Sequence, residues 1–143
     1  RSLGCFTVAI ACNADSSLGR EADVAIAPIV GPEVISGSTR LKSGTATKMV
    51  LNMLSTGAMV RIGKTFGNLM VDLRATNSKL RDRSRRIVET VVGVDEKTAS
   101  ELLARSGGEL KTAIVVGRSG CTPAEARLRL EQASGQVRGA IGE

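Results

Sequence analysis

This sequence predicts an α/β fold: the C-terminal part of a parallel sheet with flanking helices, followed by a small helical bundle. Three observations carry the prediction. Two short apolar runs near the start, separated by turn formers, read as buried strands. A long segment with helical spacing follows them. From residue 76 onward the strand-like runs give way to charged, amphipathic patterns with helix start and stop signals.

The first run, residues 5–11 (CFTVAIA), is partly β-branched and apolar on both faces, which suits a buried parallel strand. Residues 13–19 (NADSSLG) are rich in turn formers and read as a loop. Residues 23–27 (DVAIA) read as a second strand, stopped by Pro28. Two parallel strands need further partners and covering helices, so the sequence, which opens on Arg1, is expected to be part of a longer chain. A loop over residues 30–37 leads to a long helix that Ser38 or Thr39 can cap, with Leu41, Thr45, Met49, Leu51, Leu54, Ala58 and Met59 at broadly helical spacing. Gly57 interrupts this pattern, and Gly63 and Gly67 break the chain before residues 69–73 (LMVDL), a last short strand or extended segment.

Residues 79–92 form a charged amphipathic helix. Asp95 can cap the next, over 96–104, which ends at Ser106, Gly107 and Gly108. A short helix over 110–116 is expected to stop at Gly117. Thr122-Pro123-Ala124-Glu125 opens the last one, with a capping Thr, Pro in the first turn and Glu three residues on. Three regions result: 1–75 as the end of the sheet domain, 76–93 as a connecting helix, and 94–143 as a three-helix domain.

Composition narrows the chemistry. The 143 residues are 42% hydrophobic and 24% charged, as in ordinary globular proteins. With two Phe and neither Trp nor Tyr, the chain lacks the stacking platforms of single-stranded nucleic-acid binders. It has no His, the commonest general base and metal ligand, and its three Cys are too scattered for a zinc site. Cys5 and Cys12 are expected to be small buried hydrophobes in a reducing, cytoplasmic setting. Much of the +6 net charge comes from Arg81, Arg83, Arg85 and Arg86, which read as a solvated helix face or, alternatively, as a phosphate-backbone patch. The longest nearly uncharged stretch, residues 49–60, is too short to span a bilayer, which takes about 20 apolar residues. No membrane partner is expected.

The most informative stretch is residues 31–48, GPEVISGSTRLKSGTATK. It follows a strand and opens a helix with Gly-Ser-Thr, so free backbone N–H groups, the hydroxyls of Ser38 and Thr39, and Arg40 and Lys42 one turn in form a candidate oxyanion site. A purely structural cap is the other reading. Glu33 either bonds sugar hydroxyls or an amide, serves as an acid or base, or pairs as a loop carboxylate with Arg40 or Lys42. Neither a Walker loop nor a GxGxxG motif occurs.

Residues 31–48 resemble the signature of N-acetylmuramic acid 6-phosphate etherases, found in looser form in glucokinase regulatory proteins. The likeness continues through 50–59 (VLNMLSTGAM), 63–72 (GKTFGNLMVD), 75–80 (ATNSKL) and 86–88 (RIV). It implies a sugar isomerase (SIS) fold followed by a ubiquitin-associated-like helical domain. It also implies a lyase that cleaves the D-lactyl ether of N-acetylmuramic acid 6-phosphate, giving N-acetylglucosamine 6-phosphate and D-lactate in cell-wall recycling. In that family one glutamate removes the proton alpha to the aldehyde of the open-chain sugar, and another protonates the departing lactate. Both are expected upstream of Arg1. The resemblance implies no cofactor and no metal, a small-molecule amino-sugar phosphate as ligand, and a homodimer to which the helix over 39–62 contributes packing, although core packing within one chain is equally compatible with its pattern. Glu33, Ser38, Thr39, Arg40 and Lys42 are the expected substrate-binding residues of this chain. The other readings are a non-catalytic sugar-phosphate sensor and a nucleic-acid binder, and for the latter the carboxylates Glu89, Asp95, Glu96 and Glu101 dilute the basic helix.

Overall fold

A computed structural model describes residues 2–143, leaving Arg1 outside the described residues. The chain divides into two compact units, the first reaching Gly57 and the second running over Ala58–Glu143.

In the first unit, β1 (Val8–Ile10) and β2 (Val24–Ile26) pair in parallel with Val8 opposite Val24 and Ile10 opposite Ile26. Thr7 and Asp23 lock the entrance to this pair, the Thr7 amide and hydroxyl each lying 2.8 Å from Asp23 Oδ2. The stretch expected to be a loop gives way to a short helix, α1 (Ser17–Glu21), because the Ser16 hydroxyl accepts the Gly19 amide at 3.0 Å and starts a turn. Of the apolar residues in this unit, Ala9 is buried, whereas Phe6 is 73% exposed. Cys5 is exposed and Cys12 half-buried, so neither is the buried small hydrophobe expected of it.

The long helix is α2 (Lys42–Arg61), beginning a turn later than Ser38 or Thr39 would place it. None of its residues is buried. At 100° per residue its apolar side chains are spread round the helix: Met49, Met53 and Val60 on one side, Leu51, Leu54 and Ala58 opposite, and Val50 and Met59 between them. The boundary between the two compact units falls inside it.

The second unit opens with an antiparallel hairpin of β3 (Thr65–Phe66) and β4 (Leu69–Met70). Helices α3 (Ser78–Val88), α4 (Glu96–Arg105), α5 (Leu110–Ser119), α6 (Pro123–Gln132) and α7 (Val137–Ile141) follow, and a π-helical turn, Glu89–Gly93, continues α3. The expected caps form: Asp95 accepts the Thr98 amide at 2.8 Å, and Thr122 and Glu125 make a reciprocal capping box. Gly117 does not stop α5. A Cβ there would lie 2.8 Å from Val92 Cγ1 and 3.1 Å from Leu102 Cδ1, so this glycine sits inside the helix where neighbours pack closest, and the helix ends at Gly120. The last expected helix is two, α6 and α7, parted at Ser134 and Gly135, both of positive φ. The core joins Val71, Val88, Leu102, Leu110, Ile114 and Val137, with Phe66, Leu69 and Leu73 packed against it. Packing therefore groups the hairpin with the helices, whereas the sequence pattern places a division after residue 75.

Candidate functional site

Residues 28–41 connect β2 to α2 as a loop whose turns at Gly31 and Gly37 take φ of +69° and +84°, a region that side chains other than hydrogen disfavour. That path brings Glu33 back over the start of α2. Its Oε2 accepts the backbone amide of Lys42 at 2.9 Å and its Oε1 accepts that of Ser43 at 3.0 Å. The Lys42 ammonium donates to the Pro32 carbonyl at 2.9 Å, tying the same loop a second time. The helix cap is thus the Glu33 carboxylate, not a hydroxyl of Ser38 or Thr39. Two of the amides expected to meet an external oxyanion already hold an internal one.

The same contacts set the chemistry of Glu33. The Ser43 amide, then the Lys42 amide, hold its carboxyl below the ordinary value of 4.5 by favouring the charged form. It stays a carboxylate at neutral pH and is poorly suited to donate a proton. The pairing anticipated with the Lys42 side chain is mainly a pairing with the Lys42 backbone.

Beside this helix start lies a cavity of about 690 Å³ between the carboxyl end of β1 and the first turns of α2. Cys12, Asn13, Thr39, Ser43, Thr47 and Lys48 contribute to its lining. The Cys12 thiol donates to the Ser43 carbonyl at 3.7 Å and lies 3.9 Å from Thr47 Oγ1. Hydroxyls, an amide and one ammonium around an open hollow can hydrogen-bond a polyhydroxylated anion, and the carboxyl ends of parallel strands are where such sheets hold ligands. Of the five expected residues, Thr39 belongs to this lining. Glu33 sits at the helix start, Ser38 is half-buried, and Arg40 and Lys42 are exposed. Asn13, Ser43, Thr47 and Lys48 line it without being among the expected residues. The signal for the last two was present, since positions 44, 47, 48 and 51 share one helical face. Among the described residues, no group of His, Cys, Asp and Glu could hold a metal ion.

A larger cavity, about 1030 Å³, lies in the second unit beside Val71–Thr76 and the helices α3 and α4. Its charges are largely matched in sign: Lys111 lies 3.4 Å from Asp72, and Arg85 pairs with Asp82, Glu89 and Glu96. Arg86 also meets Asp82, at 2.8 Å, so part of the arginine run on α3 is neutralised within its own helix. No helix among the described residues is long and apolar enough to cross a membrane.

Comparison with known proteins places these features. A family model described as the C-terminal lid domain of glucokinase regulatory protein matches residues 67–111. The N-acetylmuramic acid 6-phosphate etherase of Mycolicibacterium smegmatis is 58% identical over 142 residues, covering 99% of this chain and 48% of that protein. The etherases of Rhodopirellula baltica and Serratia proteamaculans are each 54% identical, covering 96% and 99% of this chain and 45% and 48% of theirs. The chain is similar to these etherases along nearly its whole length, and it spans about half the length of the curated relatives it matches.

Proposed function

We propose that this chain is the C-terminal part of an N-acetylmuramic acid 6-phosphate etherase, a carbon–oxygen lyase that releases D-lactate and N-acetylglucosamine 6-phosphate in cell-wall recycling. The observation that carries the reading is identity of 52–58% with etherases, continuous across 96–99% of the chain and therefore through Glu33, the α2 start and the cavity beside it. In this reading β1 and β2 are the last strands of an SIS-type sheet over 1–75, residues 76–93 are the connecting helix, and 94–143 form a ubiquitin-associated-like tail. The protein works in the cytoplasm as a homodimer without cofactor or metal.

The chemistry divides between two halves. The glutamates that remove the alpha proton and protonate the departing lactate lie upstream of Arg1. This chain supplies binding and orientation: Ser38 and Thr39 offer hydroxyls to the sugar, and Arg40 and Lys42 attract the phosphorylated ligand through solvent. Glu33 holds the Lys42 and Ser43 amides at the start of α2. Lys48 in the cavity lining adds one positive charge suited to a substrate that carries two anionic groups, the phosphate and the lactyl carboxylate.

A second reading, a sugar-phosphate sensor without catalysis, draws support from the match of residues 67–111 to the lid domain of a regulatory protein. One assay separates the two. D-lactate release from N-acetylmuramic acid 6-phosphate is measured for the full-length protein and for this 143-residue chain. Lactate from the full-length protein alone is the expected result. Binding of the sugar phosphate by folded full-length protein without any lactate would replace the lyase with the sensor. Lactate from the short chain would overturn the upstream placement of the acid and base.

A further inference from the structure

We propose that Glu33 is a positioning residue: it serves as a built-in anion at the start of α2 and so holds one wall of the adjacent cavity, without itself bonding ligand. The ties converge on Ser43. Its amide is held by Glu33 Oε1 at 3.0 Å, and its carbonyl receives the Cys12 thiol at 3.7 Å. The preceding amide, of Lys42, is held by the other oxygen of the same carboxylate, and the Lys42 ammonium returns to Pro32, next to Glu33 in the chain. Thr39, Ser43, Thr47 and Lys48 all belong to the segment fixed in this way, and all line the cavity.

Two features distinguish a clamp from a ligand-binding or reacting group. Each oxygen of Glu33 already accepts an amide hydrogen, with the positive end of a 20-residue helix behind both. Glu33 is also absent from the residues that line the cavity, whereas Ser43, one of the two residues whose amides it holds, is present, followed by Gly44, Thr47 and Lys48 along the same helix. The interaction needs a carboxylate of this length. Glutamine offers one acceptor oxygen and turns an NH2 group toward the second amide, and aspartate keeps the charge but is one methylene shorter.

The kinetic arm of the test rests on the etherase reading, and the exchange arm does not. In the full-length protein, E33Q and E33D are compared with the parent by steady-state D-lactate release and by amide hydrogen exchange at Lys42 and Ser43. For E33Q the expected result is a KM raised about tenfold with kcat within about threefold, the pattern of lost ground-state positioning. The pH profile of kcat keeps both limbs, since no proton donor or acceptor is removed. Exchange at the Lys42 and Ser43 amides speeds up about tenfold or more as local opening becomes easier. E33D recovers part of the KM and part of the protection. A fall in kcat of about 100-fold or more with a lost limb would make Glu33 an acid or base and overturn the proposal. An unchanged KM in folded E33Q would reduce it to a purely structural cap, and unchanged exchange at both amides would show that no clamp exists. If E33Q does not fold, E33D decides by the same readouts. If the unaltered protein releases no lactate, the etherase reading falls, and the two amides still decide the clamp.

Discussion

The two compact units of this chain solve the burial problem to different degrees. In the second, Leu110, Ala113, Ile114 and Val115 on one helix are at most 2% exposed, and residues from the hairpin and α3–α7 close around them. In the first, Phe6, Leu51 and Met53 remain more than half exposed, and the sheet has two strands. Apolar content is not the difference: α2 carries seven large apolar side chains in 20 residues and α5 four in 10, both spread round the helix, but only α5 is enclosed by its neighbours. The geometry of the second unit is therefore explained by its own residues. That of the first leaves large apolar side chains on β1's approach and on α2 exposed.

The comparison is sharpest where equal truncations give unequal costs. Ile114 is fully buried, and Ile114→Ala is expected to cost about 2–5 kcal/mol, the transfer term plus the cavity left behind. Leu51 is 53% exposed, and Leu51→Ala in the same chain is expected to stay within about 0.5 kcal/mol. Chemical denaturation followed by far-UV circular dichroism measures both. Equal costs would break the contrast between the units. A large cost for Leu51→Ala in the full-length protein but not in this chain would sharpen it, since the missing neighbour would then be the other half.

A smaller effect tests packing inside the self-sufficient unit. In an open helix Gly→Ala gains up to about 1 kcal/mol from propensity. At Gly117 the new methyl group would meet both Val92 methyl carbons, at 2.8 and 2.9 Å, and the stiff β-branched side chain cannot swing away. Gly117→Ala is expected to destabilise by about 1–3 kcal/mol through overpacking, read as a fall in the denaturation midpoint without a change in slope. A stabilised variant would mean that α3's π-helical end yields easily.

Legibility from sequence follows the distance over which a contact acts. Asp95 and the Thr122–Glu125 box act within three residues, and their signals were read correctly. The Asn77 cap of α3 has the same form, accepting the Leu80 amide at 2.9 Å, ahead of a run of charges. Gly117 was misread because a helix-stopping glycine and a close-packing glycine look alike until the partner, Val92, is known. The cap of α2 was out of reach for the same reason: Glu33 lies nine residues ahead of the Lys42 amide, and the loop path between them decides the contact. Of the candidate site, the segment was legible and the cap of its helix was not. The anion predicted for the helix start is present, but the chain itself provides it.

The smallest expected effect concerns acid. Glu125 is held below its ordinary 4.5 by the Thr122 amide and then the Thr122 hydroxyl, and Asp95 below 3.8 by its bonds to Thr98. A carboxyl whose value is lower in the folded chain than in the unfolded one stabilises the fold above the unfolded value. That contribution is lost as pH falls through the folded value. Both groups sit at exposed helix starts, so each contributes modestly, and Thr122→Ala, which removes the hydroxyl half of the box, is expected to cost about 1 kcal/mol at neutral pH. E125Q is expected to flatten the fall in unfolding free energy between neutral pH and about pH 3, because the variant has no proton to take up there. Denaturation of parent and variant at both pH values gives the comparison. An equally steep fall in E125Q would assign the acid sensitivity of this unit to its ion pairs around Asp72 and Asp82 instead, whose carboxyls are lowered by Lys64 and Arg85.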